Sequence, residues 1–423
     1  MFMTIFRTNP RGWIIVAILF FALSFSFSAR MALPVLIPGW GSEFEWSQTF
    51  MSFGAALIMI VMGSVAPIAG HFQDKFGPRL LVAGGMILSG MCVSLTSFMG
   101  TASLPVTASW VFFGLFCTAS AIGYGMISLP VVTATISRNF EENRGLATSI
   151  GTSGVGGGQL IFIPVIAWAV TEIGWRPTLF GFGIIIAVLG FGSLFLLDNK
   201  VPDTKADSSG LSASASVSTR LLHVFRSPIF WLLGGSYFIC GFTTAGIVKV
   251  HLIPYAKACG FNLTTGAAAI GILAGFDMVG MIISGYLTDR FHRPALLGSV
   301  YFLRALTFIM LFFLTDNVIL LLAFAVLFGT LDFATVPPTA GLVASHLGIN
   351  TMGLTMGIMF AGHSLGGAVG AVMAGWIFDS FARYDWTWIV GLALALLAAI
   401  LAWSVPEKRD KARDDSVPAG AAA

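Results

Sequence analysis

The sequence predicts an all-α polytopic membrane protein with twelve transmembrane helices in two six-helix, pseudo-symmetric halves. Of its 423 residues, 57% are hydrophobic and only 10% are charged, whereas a soluble domain carries about 25% charged residues. Twelve apolar segments are each long enough to cross a bilayer, which takes about 20 residues. A long polar stretch separates the first six segments from the last six.

The twelve segments can be placed in order along the chain. The predicted spans are 13–38, 48–70, 79–100, 108–135, 146–170, 177–197, 229–252, 266–288, 295–314, 318–343, 352–377 and 386–404. The stretch between the two sets is rich in Ser, Asp and Lys, which is typical of a solvated linker. We therefore predict an N-terminal half at 1–197, a cytoplasmic linker at 198–228, a C-terminal half at 229–404 and a cytoplasmic tail at 405–423.

The positions of Lys and Arg predict the orientation, because cytoplasmic loops carry an excess of both. With the N-terminus inside, 16 of the 22 Lys and Arg residues lie on the cytoplasmic side, and Arg176, Lys257 and Arg383 lie outside. We therefore expect a multi-pass protein of the cell's inner membrane with both termini in the cytoplasm. The same bias accounts for the net charge of +3, so the charge indicates no nucleic-acid partner.

Neither an enzyme nor an ATP-driven pump is predicted. The sequence contains no phosphate-binding motif G-x-x-x-x-G-K-[ST], and its longest polar loop is too short for a catalytic domain. The four cysteines lie in or near predicted spans without paired spacing, which predicts neither a disulfide framework nor a metal site. We therefore expect no cofactor, no metal and no catalytic residue.

A short motif occurs once in each half. The second predicted span is followed by "GHFQDKFGPR" and the eighth by "GYLTDRFHRP", and both fit G-x-x-x-D-[KR]-F. A tandem duplication explains the matched positions, whereas ordinary charged loop ends would not be expected to coincide. Asp74 and Asp289 then lie at cytoplasmic helix ends, beside basic residues with which they can pair.

Twelve spans in two halves with this loop motif resemble the major facilitator superfamily. In that superfamily the motif acts as a conformational latch. The resemblance implies this role for Gly70, Asp74, Arg79, Gly285, Asp289 and Arg290, with His292 standing where the family usually has glycine.

A narrower resemblance involves two further stretches. "RGWIIVAILFFALSFSFSARMALPVLIPGWGSEFEWSQ" resembles the first helix and following loop of monocarboxylate porters and oxalate/formate-type exchangers, and "ISRNFEENRGLATSIGTSGVGGGQLI" resembles the start of their fifth helix. The resemblance implies small organic anions, usually carboxylates, that move with a proton or in exchange for another anion. We expect a functional monomer in the lipid bilayer.

Few ionisable side chains lie within the predicted spans. They are Arg30, Asp277, Arg304, Asp332 and His363, with Lys249 and His251 near the outer end of the seventh span. A charge at the centre of a membrane helix costs about 2.5–3.5 kcal/mol, so such residues face a polar cavity, pair with each other or have a function. We expect Lys249 and His251 to be exposed near the interface, with a place in the outer gate as the alternative.

Asp332 and His363 are predicted near the middle of the tenth and eleventh spans. A carboxylate and an imidazole together can take up and release a proton near neutral pH, so we assign proton coupling to both. The alternative is a polar pair that only fixes the two helices to each other. Pro337 and Pro338 are expected to interrupt the tenth helix just beyond Asp332.

Arg30 is the predicted anion clamp, because a guanidinium can donate two parallel hydrogen bonds to a carboxylate. The alternative is an arginine that extends to the outer interface. The Tyr124 hydroxyl is a second candidate for substrate binding, with plain packing as its alternative. The family resemblance adds His363, which occupies about the position of an eleventh-helix lysine in the exchangers.

Asp277 matches the aspartate of the family's eighth-helix D-x-x-x-R motif, but Met281 replaces the arginine. We predict a structural ion pair between Asp277 and Arg304, with proton coupling as a second role for Asp277. The hypothesis is a secondary active transporter that moves small organic anions, foremost monocarboxylates, with protons by alternating access. An anion exchanger, an efflux pump and a transporter-like metabolite receptor are the alternatives.

Overall fold

The computed structural model describes residues 10–101, 107–140, 147, 150–197, 222, 224–315, 317–347 and 349–407. Within these ranges the chain forms helices joined by short turns, and no described residue is in a strand. Most of the predicted linker, and the tail beyond residue 407, lie outside the described residues. The division at 198–228 therefore stays a prediction.

Twelve helical segments of the described chain are long and apolar enough to cross a membrane. They are α1 (Pro10–Phe44), α2 (Gln48–Ala69), α3 (Pro78–Thr96), α4 (Ala108–Thr133), α5 (Ile150–Ile173), α6 (Trp175–Leu196), α7 (Pro228–Ala258), α8 (Leu263–Thr288), α9 (Arg293–Phe312), α10 (Val318–Leu347), α11 (Thr355–Phe381) and α12 (Asp385–Trp403). The helices of α2 and α8 continue to Phe76 and Arg290, and that of α11 begins at Ile349. The predicted fold class is confirmed.

The helices pack in equivalent pairs in the two halves. Within the N-terminal half α3 packs along α6, and within the C-terminal half α9 packs along α12. The halves meet through α2 against α11 and through α5 against α8. This arrangement leaves α1, α4, α7 and α10 to supply the residues at the centre of the bundle.

Small residues bring the two halves close together. A Cβ atom on Gly156 of α5 would lie 2.7 Å from the carbonyl oxygen of Ala274 on α8, so no larger residue fits there without displacing a backbone. Glycines at such positions let membrane helices approach closely. Gly156 therefore belongs to the packing surface between the halves, whereas Gly154 and Gly158 bring α5 close to Phe20 and Ser24 of α1 in the same half.

Each of the four central helices is irregular. α1 is interrupted at Met31, α4 contains a π-helical segment at Phe112–Ala119, and α7 contains another at Phe242–Val248. In α10 a 3₁₀ turn at Phe333–Thr335 precedes the prolines. π-helical turns and 3₁₀ turns inside helices are frequent at functional sites.

These irregularities lie beside candidate functional residues. Arg30 directly precedes the break in α1, and Lys249 directly follows the π-helical segment of α7. Asp332 is the last residue before the 3₁₀ turn of α10, and Tyr124 lies a few residues beyond the π-helical segment of α4. The interruption predicted near Asp332 is thus confirmed as a turn rather than a complete break.

Candidate functional site

Two ends of the bundle can be defined from the chain path. Because the number of spans is even, α1 begins and α12 finishes at the same end, which we call the terminal end. The opposite end, where α1 leads into α2 and α11 into α12, is called the distal end.

A buried ion cluster lies where α7, α8 and α10 meet. The Lys249 Nζ atom is 2.6 Å from Asp332 Oδ2 and 3.2 Å from Asp277 Oδ2. The three residues are between 5% and 9% exposed. One lysine therefore lies between two carboxylates inside the C-terminal half.

The exposure expected for Lys249 is wrong. The predicted seventh span stopped at residue 252, but α7 continues to Ala258, which places Lys249 well inside the helix. Its ammonium also lies 5.0 Å from the ring centre of Phe333. The missed signal is the apolar stretch "LIPYAKACG", which continues the span beyond the two polar residues.

The predicted pair of Asp277 and Arg304 is replaced by a different arrangement. Arg304 is fully buried, and its Nη2 atom donates to the carbonyl oxygens of Leu331 and Asp332 at 2.5 and 2.7 Å. The 3₁₀ turn after Asp332 leaves these carbonyls without their usual helical partners, so they attract the guanidinium. Arg304 stabilises the interruption of α10, and Asp277 pairs with Lys249.

His363 lies on α11 and is half-buried. Its ring centre is 5.0 Å from that of Tyr237 and 6.1 Å from that of Phe360. The carboxylate of Asp332 is bound by Lys249, so the structure does not join Asp332 and His363 as a hydrogen-bonded pair. The histidine contributes an aromatic contact between α7 and α11.

Arg30 lines a small cavity between the two halves. The cavity has a volume of about 10 Å³, which is roughly the room needed by one water molecule. Its walls are apolar apart from the guanidinium and comprise Met31, Leu33, Pro34, Ala55, Ile58, Met59 and Val250. Val250 comes from the C-terminal half, so the cavity lies where the two halves meet.

The Arg30 guanidinium has no carboxylate at ion-pair distance among the described residues. It lies 4.9 Å from the ring centre of Phe27, and its Nε atom is buried without a hydrogen bond. Tyr124 on α4 is close enough for electrostatic interaction, and its buried hydroxyl also lacks a hydrogen bond of standard geometry. A half-buried cation beside an unused donor forms a site suited to an anion.

Met281 occupies the position where the resemblance led us to look for an arginine. It is 37% exposed on α8 and brings no charge to the ion cluster. Among the described residues, Arg30 on α1, Lys249 on α7 and Arg304 on α9 place cations inside the bundle.

The halves are joined at the distal end. The two carboxylate oxygens of Asp379 accept hydrogen bonds from the backbone N–H groups of Gln48 and Thr49 at 2.9 and 2.7 Å. Asp379 belongs to α11 and the two N–H groups begin α2, so the carboxylate of one half caps a helix of the other. A negative charge at a helix N-terminus is also favoured by the helix dipole.

His251 is a second residue of this distal contact, and the exposure expected for it is wrong. It is fully buried. Nε2 lies 2.9 Å from the Ala371 carbonyl and 3.3 Å from Ser52 Oγ, and Nδ1 lies 3.3 Å from the Tyr384 hydroxyl. The carbonyl requires a proton on Nε2, so Nδ1 accepts from Tyr384. This contact between the halves fits the alternative expectation, in which His251 has a place in the outer gate.

Removing the Asp379 cap should favour opening of the distal end. Losing a helix cap costs about 1 kcal/mol, so Asp379→Ala should shift the closed-to-open ratio by about fivefold. The measurement is the labelling rate of Cys introduced at Ser52, with a thiol reagent that does not cross membranes and with the native cysteines replaced.

Asp385→Ala is the matched control for this change. Asp385 also lies at the distal end, but it pairs with Arg383 on an exposed surface and joins no helices of different halves. An equal labelling rate in both variants and the parent protein would contradict the gate.

The structure describes only some residues of the predicted latch. Gly70 and Gly285 lie within helices, and Arg79 is half-buried at the start of α3. Arg290 places its guanidinium 4.0 Å from the ring centre of Tyr286. The side chains of Asp74 and Asp289 lie outside the described residues, so the latch stays a prediction.

A sequence profile described as Major Facilitator Superfamily matches residues 18–360 and 276–422 of this chain. The chain belongs to the major facilitator superfamily. This result confirms the resemblance found in the sequence and the expectation that the protein is not an enzyme. As a superfamily member it is a multi-pass membrane transporter of small molecules.

Relatives and solved structures extend over nearly the whole of this major facilitator. It is 25% identical to the MFS-type transporter YcxA of Bacillus subtilis, covering 93% of this chain and 95% of the relative. It is 24% identical to monocarboxylate transporter 13 of Rattus norvegicus, covering 95% and 91%.

The fold likeness is equally complete. A bacterial homologue of the human lysosomal transporter Spinster, in an inward-facing and unoccupied conformation, aligns with a TM-score of 0.76 at 16% identity, covering 93% of this chain and 96% of that chain. The xylose transporter XylE from E. coli, in an inward open conformation, aligns with a TM-score of 0.71 at 16% identity, covering 94% and 96%.

Proposed function

We propose that this major facilitator moves small monocarboxylates together with protons. The observation that carries the proposal is the half-buried guanidinium of Arg30, which lines a cavity between the halves and, among the described residues, has no carboxylate at ion-pair distance. The monocarboxylate transporters among the relatives support the same substrate class. We further propose that the protein lies in the inner membrane with its terminal end in the cytoplasm, because that end carries most of the Lys and Arg residues.

The carboxylate of the substrate binds Arg30. The guanidinium can donate two parallel hydrogen bonds to it, and the Tyr124 hydroxyl can donate a third. The apolar walls of the cavity suit a short hydrocarbon tail and offer nothing to a second charge. Since the cavity has room for about one water molecule in this conformation, the halves must separate there before the anion enters.

The proton is held by the two carboxylates that share Lys249. With both carboxylates ionised, the group of Lys249, Asp277 and Asp332 carries a net negative charge inside the membrane, which is unfavourable. One added proton neutralises the group. Each carboxylate has one buried oxygen without a hydrogen bond of standard geometry, Oδ1 of Asp277 and Oδ2 of Asp332. Because Asp332 makes the shorter contact with Lys249, we propose Asp277 as the first acceptor. His363 remains a further proposed proton acceptor and anion contact.

Proton and anion together neutralise Arg30 and the cluster of Lys249, Asp277 and Asp332. The anion balances Arg30, and the proton balances the excess carboxylate. A neutral centre lowers the cost of moving the halves past each other through the low-dielectric interior. The halves can then rock and open at the end opposite to the one at which proton and anion entered, where both are released.

Two assays on variants that lack one carboxylate distinguish anion binding from proton coupling: exchange of labelled lactate, and its accumulation driven by a proton gradient. Asp277→Asn and Asp332→Asn should each retain exchange of labelled lactate in liposomes but lose accumulation driven by an inward proton gradient, because a neutral amide cannot carry the proton. Uptake of labelled lactate, pyruvate, formate and oxalate, with and without the gradient, is the measurement. Asp385→Asn, at an exposed pair far from the cluster, is the matched control.

The outcomes distinguish the remaining possibilities. Gradient-driven accumulation of a monocarboxylate by the parent protein supports symport. Equal counterflow with and without a gradient supports anion exchange and contradicts the proton site. No flux of any acid removes the carboxylate proposal and leaves the superfamily transport function.

A further inference from the structure

Two serines of α1 are buried without a hydrogen bond. The hydroxyls of Ser26 and Ser28 have no partner among the described residues, although the two residues are only 2% and 0% exposed. A serine inside a helix can donate to the carbonyl four residues back, and Ser24 does so to Phe20 at 2.8 Å. A buried hydroxyl without such a bond is uncommon in a folded protein unless a water or a ligand pairs with it.

Ser26 lies on the same face of α1 as Arg30. Residues four positions apart share one face of a helix, and a long side chain in a helix points toward the helix N-terminus. Arg30 follows this rule, because its guanidinium lies 4.9 Å from the ring centre of Phe27, three residues back. The guanidinium therefore covers the turn of α1 that contains Ser26. Tyr124 of α4 is close enough to Arg30 for electrostatic interaction, so its hydroxyl belongs to the same region.

Ser28 lies on another face of α1. It follows Ser24 by four residues, and Ser24 donates to the Gly154 carbonyl of α5 at 3.0 Å. Ser28 is therefore on the side of α1 that packs against α5 within the N-terminal half, away from Arg30. Two serines of equal size and similar burial thus differ in their position relative to the guanidinium.

We propose that Ser26 is a further substrate-binding residue, which recognises an oxygen at carbon 2 of a short 2-hydroxy or 2-oxo monocarboxylate. Its role rests on the proposed binding of the carboxylate by Arg30. Carbon 2 is bonded directly to the carboxylate carbon, so a carboxylate on the guanidinium brings this oxygen to the groups that flank the guanidinium. The Ser26 hydroxyl donates to a 2-oxo group and can also accept from a 2-hydroxyl group. The hydrocarbon end of the acid takes the apolar cavity.

A ligand with this oxygen satisfies three unpaired groups of the protein. The Nε atom of Arg30 and the hydroxyls of Tyr124 and Ser26 are all buried without a hydrogen bond of standard geometry. A carboxylate alone supplies acceptors to the guanidinium and to the phenol, and leaves the serine hydroxyl unpaired. The oxygen at carbon 2 supplies the third partner. A site with a buried polar group favours the ligand that pairs with this group over an analogue that does not.

Selectivity between lactate and propionate tests the role of Ser26, because the two acids differ only by the hydroxyl at carbon 2. Ser26→Ala should lower kcat/KM for lactate and for pyruvate about fivefold, through the loss of one neutral hydrogen bond, and change that for propionate less than about twofold. The measurement is the initial rate of uptake of each labelled acid into liposomes that contain the same unlabelled acid, which does not require proton coupling. The ratio between acids is taken within one preparation, so it is independent of the folded fraction.

Ser28→Ala is the matched control, since it removes the same hydroxyl from the face of α1 that packs against α5. We expect all three kcat/KM values to stay close to those of the parent protein. An equal loss for the three acids in Ser26→Ala, no loss for any of them, or the same change of selectivity in Ser28→Ala would overturn the role of Ser26 and leave the Arg30 site in place. No uptake of any acid by the parent protein would overturn the proposed function together with this role.

Discussion

Arg30→Gln should lower kcat/KM for monocarboxylate uptake on the order of a hundredfold. Removing one member of a buried, hydrogen-bonded charge pair costs about 2–5 kcal/mol, and here the lost pair is the one between guanidinium and substrate. Glutamine keeps a donor in the cavity but supplies neither the charge nor the paired geometry. Initial rates of labelled lactate uptake into liposomes, over a range of lactate concentrations, provide the measurement.

Arg176→Gln is the matched control, since it removes an arginine from the same half. Arg176 contacts Glu43 at 2.6 Å in a partly exposed position at the distal end, where an ion pair contributes about 0–1 kcal/mol. We expect nearly unchanged uptake from this variant. Normal uptake by Arg30→Gln would contradict the clamp, and Arg30→Lys would then separate charge from geometry if uptake were only partly lost.

The prediction for Arg30 depends on its neighbours as much as on its charge. An arginine at the end of a membrane helix often extends to the polar interface, and the sequence left that alternative open. In the structure Arg30 instead lies inside a continuous span from Pro10 to Phe44 and lines a cavity with a residue of the other half. The interruption at Met31 gives the guanidinium this place without ending the helix.

The fold could be predicted from the sequence because the length of an apolar segment is a local property of the chain. Twelve apolar runs and one repeated loop motif determine the number of spans and the two halves, and neither depends on which helices touch. The same reasoning placed Arg30, Asp277, Asp332 and Arg304 inside the membrane. Each of these residues is a charge in an apolar run, and such a residue stands out in any single sequence.

The pairing of those charges was beyond sequence reasoning. The partner of a buried carboxylate depends on how far each helix is rotated, and π-helical and 3₁₀ turns change that rotation. The segment Phe242–Val248 directs Lys249 toward two aspartates, and the turn after Asp332 draws Arg304 to backbone carbonyls. An ideal helix would have given neither contact. The sequence alone therefore could not show that Asp277 pairs with Lys249 rather than with Arg304.

Lys249→Met should strongly destabilise the protein, because it leaves two buried carboxylates without a cation. Removing one partner of a buried pair costs about 3–5 kcal/mol. Adding Asp277→Asn and Asp332→Asn should recover most of the loss, since the uncompensated charges are then gone. The measurement is the thermal unfolding midpoint of the purified protein in detergent, and Lys257→Met, which removes an exposed lysine near the end of the same helix, is the control.

The triple variant distinguishes the two reasons for keeping charges inside a membrane. A cluster retained only to bind helices together is replaceable, because neutral residues of similar volume often stabilise as well as a buried ion pair. If the triple variant is as stable as the parent and still accumulates lactate when driven by an inward proton gradient, then the cluster is structural and the proton site proposed here is wrong. If it is stable, exchanges lactate and no longer responds to the gradient, then Lys249, Asp277 and Asp332 are retained for coupling. If the triple variant is as unstable as Lys249→Met alone, then uncompensated carboxylates do not explain the loss of stability. That result would contradict the charge balance assumed for both the structural and the coupling role.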